Sequence, residues 1–270
     1  MKTLTSIIKY LFSKFLYLIL IIGLPSIFAG FTMTGKGVFD IIINFNTYEF
    51  TSFVDVYMTF LGRKPYWLYF QPLAFLFLAL GLSLLYATID SHMRMGDFDV
   101  RNIVRKLDYN FIPSFKFVFS LAITDHLIFL LDAALTYLYY RVIGGRIAWT
   151  LTIVTIFILG LVFFAIITWL LLWLPTMCHT GLRDGRSFVM ESKQVGPVFM
   201  KTMGTLLIPT IPYILFMLLN SSFDWGVAVV FDILFSVFFG VWSTVTMNTV
   251  YYDLNNIERA DLMKFNWSRK

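Results

Sequence analysis

The chain contains several apolar runs that are long enough to cross a lipid bilayer, and these runs decide its class. A helix rises 1.5 Å per residue, so about 20 apolar residues cross roughly 30 Å of hydrocarbon. Hydrophobic residues make up 59% of the 270 residues and charged residues 14%, which is too apolar for one water-soluble core. Because a spanning segment must satisfy its backbone hydrogen bonds internally, we predict an all-α, polytopic transmembrane helical bundle.

The apolar runs predict six spans within a single transmembrane domain, 1–270. The spans are placed at residues 11–31, 66–89, 114–139, 147–176, 202–220 and 226–251. The first run follows three lysines in the manner of a signal peptide, but we interpret it as a retained first span. Short turns join spans three and four, and spans five and six, so we expect three antiparallel helical hairpins.

Basic residues are distributed unevenly over the two sides that these spans define. Of the 21 Lys and Arg residues, 16 fall in the N-terminal segment, the connections 90–116 and 177–201, and the tail 252–270. The other side, which includes the long loop 32–65, holds the remaining five. Because basic residues accumulate on the cytoplasmic side, we predict a multi-pass protein of the cell membrane with both termini in the cytoplasm.

Two charged segments, 92–107 and 253–265, are predicted to contact lipid headgroups. Each combines apolar and basic residues, so we expect it to lie along the inner membrane surface. The predicted headgroup contacts are Arg101, Arg105, Lys106, Arg259 and Lys264. A solvated connector is the alternative interpretation.

The long loop is rich in aromatic residues between positions 38 and 61, including Phe39, Phe45 and Tyr57. Such a segment is typical of an element that lies in the outer membrane interface, where aromatic rings sit at headgroup depth. It could cap a cavity or dock a partner, but the default interpretation is a segment that packs over the helix ends.

The three hairpins share features that indicate a threefold internal repeat. The second span of each follows a Trp and contains a glycine near its middle, at Gly81, Gly160 and Gly240. Interfacial Trp and mid-span Gly are also common in unrelated membrane proteins, so independent origin stays open. Prolines interrupt several runs, and Pro209 and Pro212 favour a broken fifth span.

Four ionisable residues inside the predicted spans form the candidate polar site: Asp125, His126, Asp132 and Asp232. A charge near the bilayer centre costs several kcal/mol unless it is paired or hydrated, which makes such residues functional candidates. Asp125 and Asp132 are seven residues apart and so share a helix face. For Asp132 and Asp232, the structural alternative is pairing with Arg141 and Arg146, or contact with the interface.

Several classes of function have no support in the sequence. The three histidines are scattered and Cys178 is the only cysteine, so we predict neither a metal site nor a cofactor. The chain has no phosphate-binding, dinucleotide-binding or G-x-S-x-G motif. The net charge of +5 is spread without a dense basic patch, and we therefore predict no nucleic-acid partner.

One part of the sequence resembles known bacterial membrane proteins. The segments Met190-Glu191-Ser192-Lys193, Phe199-Met200-Lys201 and Tyr251-Tyr252-Asp253-Leu254 resemble those of the YesL-like family and of the membrane domain of glycerophosphoryl diester phosphodiesterases. The likeness covers mainly residues 180–262. It implies a six-span fold but neither an activity nor catalytic residues, because residues 1–270 contain no phosphodiesterase domain.

These observations favour a non-enzymatic membrane protein that is transport-associated or interacts with lipids. Its expected partners are membrane lipids, and other membrane subunits or a second copy of the chain. The alternative is a membrane-embedded enzyme that acts on a lipid substrate with Asp125, His126 and Asp132 as its polar groups. Whether these residues converge on a cavity decides between the two.

Overall fold

A computed structural model describes residues 2–32, 35–62, 69–96, 100–181, 185–219 and 225–262. The predicted all-α class is confirmed, since the structure is 92% helical and the described residues form no strand. The helices are α1 (Lys2–Thr32), α2 (Lys36–Asn44), α3 (Phe53–Leu61), α4 (Gln71–Met95), α5 (Val100–Val142), α6 (Gly145–Leu170), α7 (Trp173–Thr180), α8 (Gly185–Val195), α9 (Phe199–Leu207), α10 (Thr210–Leu219) and α11 (Trp225–Asn255).

Six helical segments are long and apolar enough to cross a membrane, which confirms the predicted number of spans. They are Leu4–Gly30, Gln71–Met95, Val104–Val142, Gly145–Thr180, Gly196–Leu219 and Gly226–Asn255. The third differs most from its prediction, because α5 begins at Val100 rather than at 114 and includes Pro113. The chain is an integral, multi-pass membrane protein.

The six spans alternate in direction, so the fold has two distinguishable sides. We call the side where α1 begins and α11 ends the terminal side, and the opposite side, where segment 35–62 lies, the loop side. The first turns of α1 and the segment after α11 meet on the terminal side, where Arg259 Nη1 lies 3.5 Å from Ser6 Oγ.

Helix α1 packs against α4 and α11 along one face, while Phe12, Leu16 and Leu20 on its other face are exposed. Two of the three mid-span glycines serve this packing. A Cβ added at Gly81 would collide with Pro25 of α1, and one added at Gly240 would press on Ile22. Gly160, on α6, has open space at the same position. The glycines that the repeat hypothesis aligned therefore differ in environment.

Two spans are interrupted. The fourth changes from α6 to α7 at Leu171 and Leu172, three residues before Pro175. The fifth changes from α9 to α10 between Leu207 and Thr210, which confirms the predicted break at Pro209. A proline removes a backbone donor and clashes with the preceding turn, which accounts for both positions.

The aromatic loop packs over the ends of α5 and α6. Its large side chains form a buried cluster with Ala133 and Ala148 of these helices, made of Ile41, Phe45, Phe50, Val56 and Phe60. Trp149 Nε1 donates to the Ile42 carbonyl at 2.8 Å, and Arg141 Nη2 donates to the Thr51 carbonyl at 2.6 Å. The alternative of packing over the helix ends is therefore the one that the structure shows.

Helix α3 of this loop begins with a capping box. The Ser52 hydroxyl accepts from the Asp55 backbone N–H, and the Asp55 carboxylate accepts from the Ser52 N–H. Hydrogen bonds from Thr51 and Ser52 hold the pKa of Asp55 below its usual range, because they favour its ionised form. The loop thus has its own local order as well as its contacts with α5 and α6.

Candidate functional site: a cavity between the spans

A cavity of about 460 Å³ lies between α1, α4, α5, α6, α10 and α11. Most of its wall is apolar, with Phe and Leu side chains from four helices, among them Leu78, Leu82, Phe117, Phe163, Phe235 and Phe239. Gly35 and Leu61 of the loop also contribute to the wall. The aromatic loop therefore reaches this cavity as well as the ends of α5 and α6.

One polar group in the cavity combines α4 and α5. His126 Nε2 lies 3.2 Å from Gln71 Oε1, and His126 Nδ1 lies 3.1 Å from the Ala122 carbonyl in the preceding turn. The Asp125 carboxylate is 3.8 Å from His126 Nδ1. Gln71 stands in the first turn of α4, so this group is near the loop side.

A second polar group combines α10 and α11. The Tyr213 hydroxyl donates a hydrogen bond to the carboxylate of Asp232, and Asp232 is only 5% exposed. The Tyr213 ring stacks on Phe235, with 4.1 Å between the ring centroids. Tyr213 follows the break between α9 and α10, and Asp232 lies two turns into α11. This group is also near the loop side.

The wall of the cavity is therefore polar toward the loop side and apolar toward the terminal side. Asp125, His126, Gln71, Tyr213 and Asp232 lie toward the loop side. Farther toward the terminal side the wall is formed by Leu82, Leu171 and Met247, with Ser243 as a small polar residue among them. The space matches a molecule with one polar end and one apolar end.

The structure brings together three of the four predicted polar-site residues. Asp125, His126 and Asp232 line the same cavity, although Asp232 is on a different span. Asp132 does not line it. Residues seven apart share a helix face but are separated by about 10 Å along the axis. This places Asp132 closer to the loop, where it is 4% exposed and its Oδ1 has no hydrogen-bond partner among the described residues.

A buried polar cluster on the terminal side was not predicted. Asp90 of α4 lies 2.7 Å from Lys106 Nζ of α5 and 3.3 Å from His179 Nε2 of α7, and it accepts a hydrogen bond from the Tyr252 hydroxyl of α11. We call these four residues the Asp90 cluster. The only sequence signal for it was an acidic residue at the end of an apolar run.

The predicted headgroup contacts have varied surroundings. Lys106 directs its ammonium group to Asp90 and Ser91 rather than to the surface. Arg259 is 6% exposed and pairs with Asp261 at 2.8 Å. Arg105 is exposed. The Arg101 side chain and all of Lys264 lie outside the described residues.

The two charged segments, 92–107 and 253–265, are not separate surface elements where the structure describes them. Residues 101–107 form the first turns of the long helix α5, not a separate element. The chain leaves helical geometry after Asn255, and Arg259 then contacts Thr249 at 3.3 Å. Both segments therefore place a basic side chain against the bundle.

The described residues contain no group of three or more His, Cys, Asp or Glu side chains placed to hold a metal ion. Comparison of the chain with protein-family models, curated proteins and solved structures found no match. The resemblance of residues 180–262 to two bacterial membrane families stays a prediction.

Proposed function

We propose that this membrane protein binds a lipid-like amphiphile in the cavity between its spans. The hydrocarbon chain occupies the part lined by Leu82, Phe117 and Phe163, and the polar head lies beside Asp125, His126 and Asp232. The observation that carries the proposal is the change from polar to apolar walls along one continuous cavity. Its volume of about 460 Å³ falls in the range of about 300–1,000 Å³ usual for small-molecule sites.

A role in moving the amphiphile across the membrane is the form of this function that we favour. Tyr213 of the wall lies just beyond the broken segment of the fifth span, and broken helices at a binding site are a device of secondary transporters. In this proposal the loop side faces outward and the terminal side faces the cytoplasm, in agreement with the distribution of basic residues.

The alternative of a membrane-embedded enzyme has less support. It required Asp125, His126 and Asp132 to act together, whereas Asp132 lies outside the cavity wall. His126 and Asp125 do lie close together, and His126 also contacts Gln71 and the Ala122 carbonyl. A polar group of this kind suits the binding of a head group.

A photoreactive single-chain alcohol with a diazirine near the end of its chain tests the proposal in nanodiscs. We expect saturable crosslinks to residues of the apolar wall, located by mass spectrometry. Ala122→Phe should reduce these crosslinks several-fold, because Ala122 lines the cavity and a phenyl ring would fill it.

The matched control is Gly160→Phe, which adds an equally large side chain where a Cβ meets no atom within 4 Å. It should leave the crosslinks unchanged. Crosslinks that Ala122→Phe does not reduce, or that spread evenly over the outside of the bundle, would show that the probe only samples the bilayer.

A further inference from the structure

Among the described residues, the side chains of the cavity wall that can be charged near neutral pH are two carboxylates and one histidine. The carboxylates are those of Asp125 and Asp232, whereas the described part of the chain contributes no Lys or Arg to the wall. Both carboxylates stand near the loop side, on helices α5 and α11, and face the same space. Arg141, a basic residue of this side, directs its guanidinium to the Thr51 carbonyl and to the Tyr137 hydroxyl instead.

Aromatic rings surround the same end of the cavity. Phe75 packs edge-on to His126, with 6.3 Å between ring centroids, and Phe235 stacks on Tyr213. Phe129, one turn from Asp125, also lines the wall. The face of an aromatic ring attracts a cation, and rings grouped around a space are the usual means of binding a quaternary ammonium group.

On these two grounds, we propose that the amphiphile bound by this cavity carries a cationic head group, an amine or a quaternary ammonium. The inference rests on the proposed function and specifies its ligand class. A positive head group offsets the cost of placing Asp125 and Asp232 within a membrane span. An anionic head of the same size would face two carboxylates, and among the described wall residues only His126, which already contacts Asp125, could carry a positive charge.

A pair of probes with the same chain and opposite charge tests the inference. Dodecyltrimethylammonium and dodecyl sulfate are measured by equilibrium dialysis against nanodiscs that contain the protein, and binding to empty nanodiscs is subtracted. We expect saturable binding of the cation, at least about tenfold tighter than that of the anion, which corresponds to roughly 1.4 kcal/mol. Equal binding of the two probes, or tighter binding of the anion, would overturn the inference.

Charge-removing variants assign the preference to the cavity. Asp125→Asn and Asp232→Asn should each weaken binding of the cation by about tenfold, and should tighten rather than weaken binding of the anion. The matched controls are Asp108→Asn on α5 and Asp253→Asn on α11, which remove the same charge from exposed positions of the same helices. They should leave both affinities unchanged. Controls that weaken the cation as much as the cavity variants would show a surface effect and contradict the site.

The neutral photoreactive alcohol separates this inference from the proposed function. If the alcohol crosslinks to the cavity and is blocked by Ala122→Phe while the charged probes bind equally, the amphiphile site stands and the cationic head is refuted. If none of the three probes binds saturably, the proposed function falls and the inference with it. If Asp232→Asn fails to fold, the Asp125→Asn variant and the comparison of probes on the unchanged protein still test whether the bound head group is cationic.

Discussion

Asp90, on α4, contacts one polar side chain from each of three other helices, α5, α7 and α11. Its carboxylate is 6% exposed and contacts Lys106, His179 and Tyr252. A carboxylate in such a position is costly unless hydrogen bonds and an opposite charge compensate for lost water. We therefore infer that the Asp90 cluster holds the terminal side of the bundle together.

Removal of the charge at Asp90 should destabilise the protein. Asp90→Asn leaves Lys106 without its anion, at an expected cost of about 3 kcal/mol, the low end for a buried pair because the Lys106 side chain is 31% exposed. Tyr252→Phe removes only a hydrogen bond to a charged group and should cost about 1.5–3 kcal/mol. The measurement is the free energy of unfolding in mixed micelles titrated with dodecyl sulfate.

The neighbouring exposed acid, Asp253, supplies the control for this prediction. Asp253→Asn makes the same chemical change and should alter the free energy of unfolding little. The double variant Asp90→Asn with Lys106→Met should recover part of the loss, since no buried charge is then left alone. If Asp90→Asn proved as stable as Asp253→Asn, the cluster would have no structural role.

At the scale of residues, the sequence predicts which side chains are chemically important better than it predicts where those side chains lie. Asp125, His126 and Asp232 were predicted as polar-site residues because ionisable groups in a span are costly, and all three line one cavity. The same reasoning selected Asp132, which lies outside it. Helix geometry shows that two residues share a face, but the depth of a cavity along that face depends on neighbouring helices. Gln71 and Tyr213 are uncharged and gave no such signal.

At the scale of elements, the glycines that face α1 allow the neighbouring helices to approach it closely. Gly81 of α4 accepts the close approach of Pro25, so any larger side chain must push α4 away from α1. Small residues are the usual means by which membrane helices approach each other, since lipid offers no hydrophobic drive for their association. The close packing of α1 against α4 therefore depends on this position.

Gly81→Leu should lower the free energy of unfolding by about 1–3 kcal/mol, the usual cost of overpacking. Gly160→Leu is the matched control, because Gly160 occupies the corresponding mid-span position in the fourth span but has no atom within 4 Å of an added Cβ. Titration with dodecyl sulfate again measures both variants. Equal stability of the two would mean that α4 does not approach α1 closely at this point.

The breaks within elements were predictable where a proline carries the signal. Pro209 is followed by the start of α10, as its missing donor requires. Pro113, by contrast, lies within the continuous helix α5, and Pro72 stands in the first turn of α4, where proline is tolerated. Whether a proline breaks, bends or begins a helix depends on the packing around it, which the sequence pattern does not contain.

For the whole molecule, length and hydropathy were sufficient to predict six spans, because the thickness of the bilayer fixes the length of a spanning helix. The arrangement of the spans was not predictable in this way. Lipid-facing and buried sides of a span are both apolar, as Leu20 and Leu18 of α1 show, being 79% and 0% exposed. Periodicity therefore says little about which helices meet, and the packing of α1 against α4 and α11 is seen only in the structure.

The orientation predicted for the whole molecule rests on the distribution of its basic residues, and it has a direct test. We expect a single cysteine at Glu49, an exposed residue of the loop side, to react with an impermeant maleimide in intact cells. A cysteine at Glu258, exposed on the terminal side, should react only after permeabilisation. Cys178 is replaced by Ala in both variants, because it is the one native thiol. Labelling of Glu258→Cys from outside, with Glu49→Cys protected, would invert the molecule and place the polar end of the cavity toward the cytoplasm, so that cationic amphiphiles would enter from within the cell.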